Sequence, residues 1–307
     1  MSLTRIDWNI MDKVAGLHDI PTGAVNIRLN GEAVVRKSAP NVTVTTSPAT
    51  GGLLVEFKAG VKGEVAHVPV VLSQPGLKDV VHNTFVVGEG AEATLVAGCG
   101  IHSSCHQDSQ HDGLHEIIVK KGARLRYVEK HYGEGDADSG RILNPTTVVT
   151  VEEGGYAELE MVQIKGVDAT KRVTKANIAA RGSIKVIERL LTTGKQEATS
   201  EIHIFMQGKG SGAQVLSRGV AQDTSRQIFQ AALVGQAECN GHLECDAIIM
   251  DQAFIQSIPE IRAEDANAVL THEAAIGRIA GEQLLKLMSL GISEQDAVQM
   301  IIRGFLR

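Results

Sequence analysis

From about Val25 to Ile261 the chain is written almost entirely in short runs of Val, Ile, Leu and Thr, set apart by glycine and polar turns. V-T-V-T-T, L-L-V-E-F, V-P-V-V-L, T-F-V-V, E-I-I-V, T-T-V-V-T-V and I-H-I-F-M all have this form. Branched side chains suit a pleated surface, and the small residues between them turn the backbone, so the pattern predicts strands. Within it a glycine, a small or polar residue and then alternating apolar residues recur at Gly90, Gly122, Gly155, Gly182, Gly212 and Gly235, with gaps of 32, 33, 27, 30 and 23 residues. Self-similarity at that spacing belongs to solenoids, propellers and arrays. There is no W-D pair of a propeller and no leucine-rich consensus. A stack of β coils, each satisfying its neighbour's backbone groups, is therefore expected in preference to a sandwich. Aromatics at 3% and 32 glycines fit a core of stacked small aliphatic side chains.

The flanks read differently. Ile6, Ile10, Met11, Val14 and Leu17 lie on one face of a short helix that Pro21, Thr22 and Gly23 end. After Ala266 a helical pattern is expected, with Ile276, Ile279, Leu284, Leu287 and Met288 on one face. Gly291 stops it, Ser293 and Asp296 resemble a capping box, and Val298, Ile301, Ile302 and Phe305 line a second helix. The expected division is thus 1–24 helical, 25–265 β core and 266–307 a helical pair, which serves either as an end cap or as a docking surface.

Net charge is -6, with no basic block, so nucleic acid is not an expected partner. No run approaches the roughly 20 apolar residues of a membrane span. Arg5, Asp7, Asp12 and Lys13 interrupt any apolar leader, so a soluble cytoplasmic protein is expected, with its four cysteines reduced.

Two stretches hold residues fit for chemistry. In L-E-C-D-A-I-I-M, strand alternation puts Leu243, Cys245, Ala247 and Ile249 on one face and Glu244, Asp246, Ile248 and Met250 on the other. His272 and Glu273 follow Cys245 by 27 and 28 residues, close to the repeat spacing, and so would return beside it one coil later. Thiol, imidazole and carboxylate form a ligand set for iron, zinc or copper. The plainer reading makes Cys245 a core thiol and has Thr271 and Glu273 cap the following helix. Cys239 reads as core, and His242 as a turn residue after Asn240-Gly241. The second stretch, between Ala97 and Val119, holds Cys99, His102, Cys105, His106, His111 and His115, metal-ligand candidates by composition or else solvated imidazoles of a polar loop. His18, His67, His82, His131 and His203 stand alone and read as ordinary polar side chains. No phosphate-cradling glycine loop is present, so any ATP hydrolysis belongs to another protein.

The strings C-D-A-I-I-M, I-P-E-I and T-H-E-A-A-I-G-R-I-A-G-E-Q-L-L-K-L-M-S-L-G-I-S resemble the end of the SufB/SufD family, which takes part in iron-sulfur cluster assembly. H-E-I-I-V-K-K-G-A-R-L-R-Y from His115 resembles a second family segment. The resemblance implies a right-handed parallel β-helix core and a scaffold, not an enzyme, carrying a transient iron-sulfur cluster. It implies that Cys245, with His272 and Glu273, holds that cluster, and that sulfur passes from Cys99 in A-G-C-G to Cys245. It further implies a SufC-like ABC ATPase docked on the C-terminal helices, a homodimer or SufB/SufD-like heterodimer, and a cysteine desulfurase or other sulfur donor. Thr271 stands where cluster-building members have a first acid, so a SufD-like subunit that holds no cluster is the alternative. A β-helix carbohydrate enzyme is a further one, although Trp8 is the only tryptophan available to stack on sugars.

Overall fold

The computed structural model describes residues 3–104, 106–135 and 139–307. It begins with helix α1 (Arg5–Ala15), whose start is fixed by a capping box between Thr4 and Asp7 and whose end is Gly16 in the left-handed conformation. The strands follow as β1 (Ala24–Leu29), β2 (Glu32–Lys37), β3 (Val42–Thr46), β4 (Leu53–Phe57), β5 (Glu64–Leu72), β6 (Lys78–Val87), β7 (Glu92–His102), β8 (Ser109–Val119), β9 (Arg124–Glu134) and β10 (Arg141–Val151). Then come β11 (Tyr156–Gln163), β12 (Ala169–Ile178), β13 (Ser183–Thr192), β14 (Glu197–Met206), β15 (Ser211–Ala221), β16 (Arg226–Gly235), β17 (Cys239–Ile249), β18 (Phe254–Ala263) and β19 (Val269–Gly277). Helices α2 (Gly281–Ser289) and α3 (Glu294–Phe305) end the chain.

From β5 onward the odd-numbered strands stack in parallel in one sheet and the even-numbered strands in another, so the expected parallel β-solenoid is the fold. It has about eight turns. Two antiparallel pairs, β1 with β2 and β3 with β4, close the N-terminal end. Strict alternation, as in β8, points every second side chain into the lumen between the sheets. Small aliphatic side chains fill most of that lumen.

One corner of each coil repeats the same device. Gly60, Gly90, Gly122, Gly154, Arg181 and Gly210 have positive φ. The amides of Gly90, Gly122, Gly154, Arg181 and Gly210 donate to the carbonyls of Lys121, Glu153, Ala180, Lys209 and Glu238, each in the corner of the following coil. The sequence repeat meets this corner at Gly90 and Gly122. At Gly155 and Gly182 it is one residue late, the turn being made by Gly154 and Arg181.

Helix α1 lies on the outside of the odd sheet. Ile10, Met11 and Val14 pack against Val25, Ile27, Leu29 and Val71. The helix also sits directly over Gly98 and Gly100 of β7, and a Cβ on Gly98 would stand 2.5 Å from the Val14 carbonyl oxygen. The strand that carries Cys99 is thereby clamped on its outer side.

The C-terminal segment differs from expectation. The helical pattern read from Ala266 onward opens instead with β19, a full strand paired in register with β17. Leu270, His272, Ala274 and Ile276 alternate with Thr271, Glu273 and Ala275. This period of two is masked by the adjacent Ala274 and Ala275, which carry little preference. The helices begin only at Gly281. The chain end then returns to the odd sheet, where Arg189 donates to the Arg307 carbonyl and Arg218 to that of Phe305.

Candidate functional site

Because successive coils are in register, single positions form ladders that run along the lumen. One reads Ala97, Glu129, Met161, Glu188, Ser217, Cys245 and Ala274 through β7, β9, β11, β13, β15, β17 and β19. Two residues further along the strands, Arg28, Val70, Cys99, His131 and Gln163 make another. From the opposite sheet come Asp79 with His111, and Arg172, Ser200, Phe229 and Ser257. Polar side chains inside an otherwise aliphatic stack cost several kcal/mol each unless they are paired. Their placement in one continuous row is therefore the most informative feature of the molecule.

At the N-terminal end of the row lies Cys99, only 4% exposed. His111 reaches it from β8 and His131 from β9. Burial alone would raise the Cys99 thiol, but the charges of these two imidazoles outweigh it and bring its pKa to about 7. His111 answers in the opposite direction: burial opposes its charge, yet Cys99 and Asp79 raise it to about 10. His111 Nδ1 is 3.0 Å from Asp79 Oδ2, and Arg28 grips the same carboxylate through Nε at 2.9 Å and Nη2 at 2.7 Å. Among the described residues the His111 Nε2 atom makes no hydrogen bond of ordinary geometry, so its coupling to the thiol is mainly one of charge. His115, stacked 5.7 Å from the Phe85 ring, has no hydrogen-bond partner for either ring nitrogen among the described residues, and burial keeps it neutral with a pKa of about 4.

The middle of the row is ionic. His131 Nε2 lies 3.4 Å from Glu129 Oε1, and its Nδ1 lies 3.3 Å from both Gln163 Oε1 and Arg172 Nη2. Burial raises the Glu129 carboxyl, but His131 and Arg172 pull it down to about 2. Arg172 also donates to Glu188 at 3.4 Å, and Glu188 accepts from Ser200 at 2.6 Å and from Ser217 at 3.3 Å.

At the far end Cys245 is again buried, at 4% exposure, and accepts a hydrogen bond from Ser257 at 3.2 Å. Its environment is the reverse of that around Cys99. Burial pushes the thiol up to about 11, with Glu188 and Asp246 adding to it. A cavity of about 20 Å³, lined in part by Glu188, Ser217 and Cys245, touches it. That is room for about one water molecule.

The predicted residues are thus partly united. Cys245 pairs in register with Ala274, and His272 with Leu243, so His272 shares the lumen face with Cys245 on the adjoining strand. Glu273 pairs with Glu244 and lies on the opposite, outer face. Thr271 and Glu273 stand within β19 and do not cap a helix; Thr271 Oγ1 meets His242 Nδ1 at 2.8 Å on the outer face. Cys239 is buried core, as expected. The histidine-rich stretch is not one loop. Cys99, His111 and His115 face the lumen, His102 pairs with Glu134 at 3.5 Å, and His106 is exposed. Cys105 lies outside the described residues. Among the described residues no three His, Cys, Asp or Glu side chains are placed to hold a metal ion, so of the expected set Cys99, His102, Cys105, His106, His111 and His115 the five described members are not gathered.

Sequence reading missed Asp79, Glu129, His131, Arg172 and Glu188. The signal was there as polar residues on the inward parity of otherwise apolar strands, visible only once the register is known.

Against families of known proteins, residues 71–305 match the SufBD core domain of the SUF system for FeS cluster assembly. The chain belongs to the SufBD family. It is 30% identical over 281 residues to an iron-sulfur cluster assembly SufBD family protein of Archaeoglobus fulgidus, covering 89% of this chain and 73% of that one. A relative of the same description in Methanothermobacter thermautotrophicus is 27% identical, over 83% of this chain and 62% of its own length. One in Pyrococcus horikoshii is 24% identical, over 96% of this chain and 84% of its own. The SufBD match takes in Asp79, Cys99, the polar row and Cys245. It begins at Val71 and so leaves out α1 and Arg28.

Proposed function

We propose that this SufBD protein is a non-enzymatic scaffold subunit in which sulfur is accepted at Cys99 and an iron-sulfur cluster is built, as cargo, at the Cys245 and His272 end. The single observation behind this reading is the unbroken buried polar row that joins the two cysteines. The thiols at its ends are tuned for different work: Cys99 is half ionised near neutral pH and suited to attack, while Cys245 stays protonated until iron displaces its proton. Five inter-strand steps of about 4.8 Å separate them by roughly 24 Å, too far for direct thiol exchange. A two-electron donor that reduces a Cys99 persulfide to the thiol and hydrosulfide would release sulfur at the His131 end of the row, from which Arg172, Ser200, Ser217 and Ser257, all donors, line the way to Cys245.

Cys245 lies under β18 and β19, so loading it requires those edge strands to move. They end the stack with an unpaired edge and expose Phe254, Ile258, Ile261, Val269 and Ile276, which fits pairing with a second copy or a related subunit. Leu285, Met288, Leu290 and Met300 on α2, α3 and the turn between them are also exposed, which fits docking of an ABC-type ATPase whose cycle drives that movement. Among the described residues no helix is long and apolar enough to cross a membrane. In this reading the protein works in the cytoplasm and takes its sulfur from a cysteine desulfurase.

Anaerobic assembly with iron and either a persulfide donor or free sulfide tests the reading. Cys245→Ala abolishes cluster absorbance with both sulfur sources, Cys239→Ala with neither, and Cys99→Ala slows only the persulfide-fed reaction. A wild-type chain that forms no cluster even with its partner subunit would favour the second reading, a SufD-like subunit that holds none. The outward position of Glu273 and the threonine at 271 favour that reading.

A further inference from the structure

The ladder that carries Cys99 also carries Arg28, two strands away, with Val70 between them. Arg28 spends its guanidinium on Asp79, binding both carboxylate oxygens, and Asp79 in turn holds His111 Nδ1. Asp79 and His111 are nearly fully buried, and the free Nε2 of His111 faces the lumen, where it is 3.4 Å from the position a Cβ on Gly113 would take. A carboxylate that fixes one imidazole nitrogen and leaves the other for a thiol is the arrangement by which nucleophiles are oriented and relieved of their proton. A cleft of about 500 Å³ opens on the N-terminal side, where β4 begins only opposite Asn83 and leaves the start of β6 uncovered. Asn26, Arg28, Arg36, Val70 and Asn83 are among the residues that line it. Val70, the register partner of Cys99, separates the thiol from that cleft.

We infer that Arg28, Asp79 and His111 form a positioning chain that readies Cys99 as acceptor of a sulfane sulfur, with persulfide donors approaching through the cleft past Val70. The inference rests on the reading that sulfur is accepted at Cys99. The step is redox-neutral. The Cys99 thiolate attacks the outer sulfur of a donor persulfide, the donor S–S bond breaks as the new one forms, and the departing thiolate takes the proton from the His111 imidazolium. Cys99 is left as a persulfide, His111 as neutral imidazole and the donor as a thiol. Beyond His111, the groups that act on Cys99 are His131 and Tyr127 from β9, with Glu129 and Arg172 behind them on His131, while β5 presents the aliphatic Val70. His111 alone among them is tied to a carboxylate that itself carries a bidentate arginine.

The test uses the full chain and two probes, iodoacetamide and glutathione persulfide, with modification at each cysteine read by mass spectrometry across pH. In the wild type, alkylation of Cys99 rises to half its plateau near pH 7, well below Cys239 in the same molecule. Asp79→Asn and His111→Gln each move that midpoint up by a unit or more and slow both reactions roughly tenfold at pH 7, since an ordinary thiol is only a few per cent ionised there. Their effects do not add, because they break one chain. Arg28→Lys, which keeps the charge but loses the fork, gives a smaller shift in the same direction. A wild-type Cys99 that titrates with Cys239 overturns the inference, whether or not the variants fold. So do folded Asp79→Asn and His111→Gln proteins with the wild-type midpoint. A low midpoint that both variants abolish, with no sulfur taken from the persulfide, instead sinks sulfur acceptance at Cys99 and leaves the chain itself standing.

Discussion

Arg172 and Glu188 meet inside the solenoid, one from each sheet, with Nη1 of Arg172 3.4 Å from Oε2 of Glu188 and both side chains almost wholly buried. Each also serves a neighbour, Arg172 reaching His131 and Glu188 accepting from Ser200 and Ser217. Removing one partner strands the other charge in the lumen, which costs about 3–5 kcal/mol, whereas replacing both with apolar side chains of similar volume is often neutral. Arg172→Met is therefore expected to lower the denaturation midpoint sharply, and Arg172→Met with Glu188→Leu to recover most of it. If the row carries sulfur, the recovered double variant still forms persulfide at Cys99 but assembles cluster slowly from it. Urea melts and persulfide-fed assembly together check this, and a double variant with wild-type assembly rates would remove the ionic middle from the route.

Acid should weaken the fold in two stages. His115 is held neutral with a pKa of about 4, against roughly 6.5 in an unfolded chain, so protons favour the unfolded state as pH falls from about 6.5 to 4. Glu129 has its pKa lowered to about 2, and its contribution is fully present above its unfolded pKa and lost as pH falls from about 4.5 to 2. Its share is roughly 3 kcal/mol on that reckoning. Glu129→Gln should lower stability at neutral pH and flatten the curve below pH 4.5, leaving the upper stage in place. Denaturant melts from pH 7 to 2 measure both.

The clamp of α1 on β7 makes a third expectation. A methyl group on Gly98 meets the Val14 backbone, which cannot swing aside as a flexible side chain can. Gly98→Ala should displace α1 and cost about 1–3 kcal/mol, the usual range for overpacking. Because the helix backs the strand that presents Cys99, alkylation of Cys99 should also speed up, with Cys245 unaffected. Unchanged stability and reactivity would show that α1 accommodates the methyl group and plays no part in guarding the thiol.

What the sequence made legible was whatever repeats. Strand runs and corner glycines disclosed the solenoid, and C-D-A-I-I-M with its distant T-H-E-A-A disclosed the family and one end of the row. Glu129, His131, Arg172 and Glu188 stayed hidden because each is ordinary in its own strand, and only register across coils brings them together. His131 even read as solitary, although it stands beside Cys99 on the same ladder. The described members of the ligand set read between Cys99 and His115 are scattered for the complementary reason. Nearness in sequence says little when alternate residues of a strand face opposite sides: β8 turns His111 and His115 inward together, while His106 lies before that strand and is exposed.

Parity also separates the two residues that follow Thr271. His272 stands on the face of Cys245, two register positions from Ala274 and its partner, while Glu273 projects outward beside Glu244. If cargo is held from the lumen side, His272→Ala should reduce cluster yield several-fold and speed its loss to a chelator, because a borderline imidazole ligand is gone. Glu273→Ala should then behave as wild type. The opposite ranking would mean that β19 rotates or slips when the edge opens, bringing its outer face to the thiol, for a one-residue slip exchanges every side chain between faces. Measuring iron and sulfide per chain in the two variants, with and without the ATPase partner and nucleotide, decides between a fixed and a moving edge.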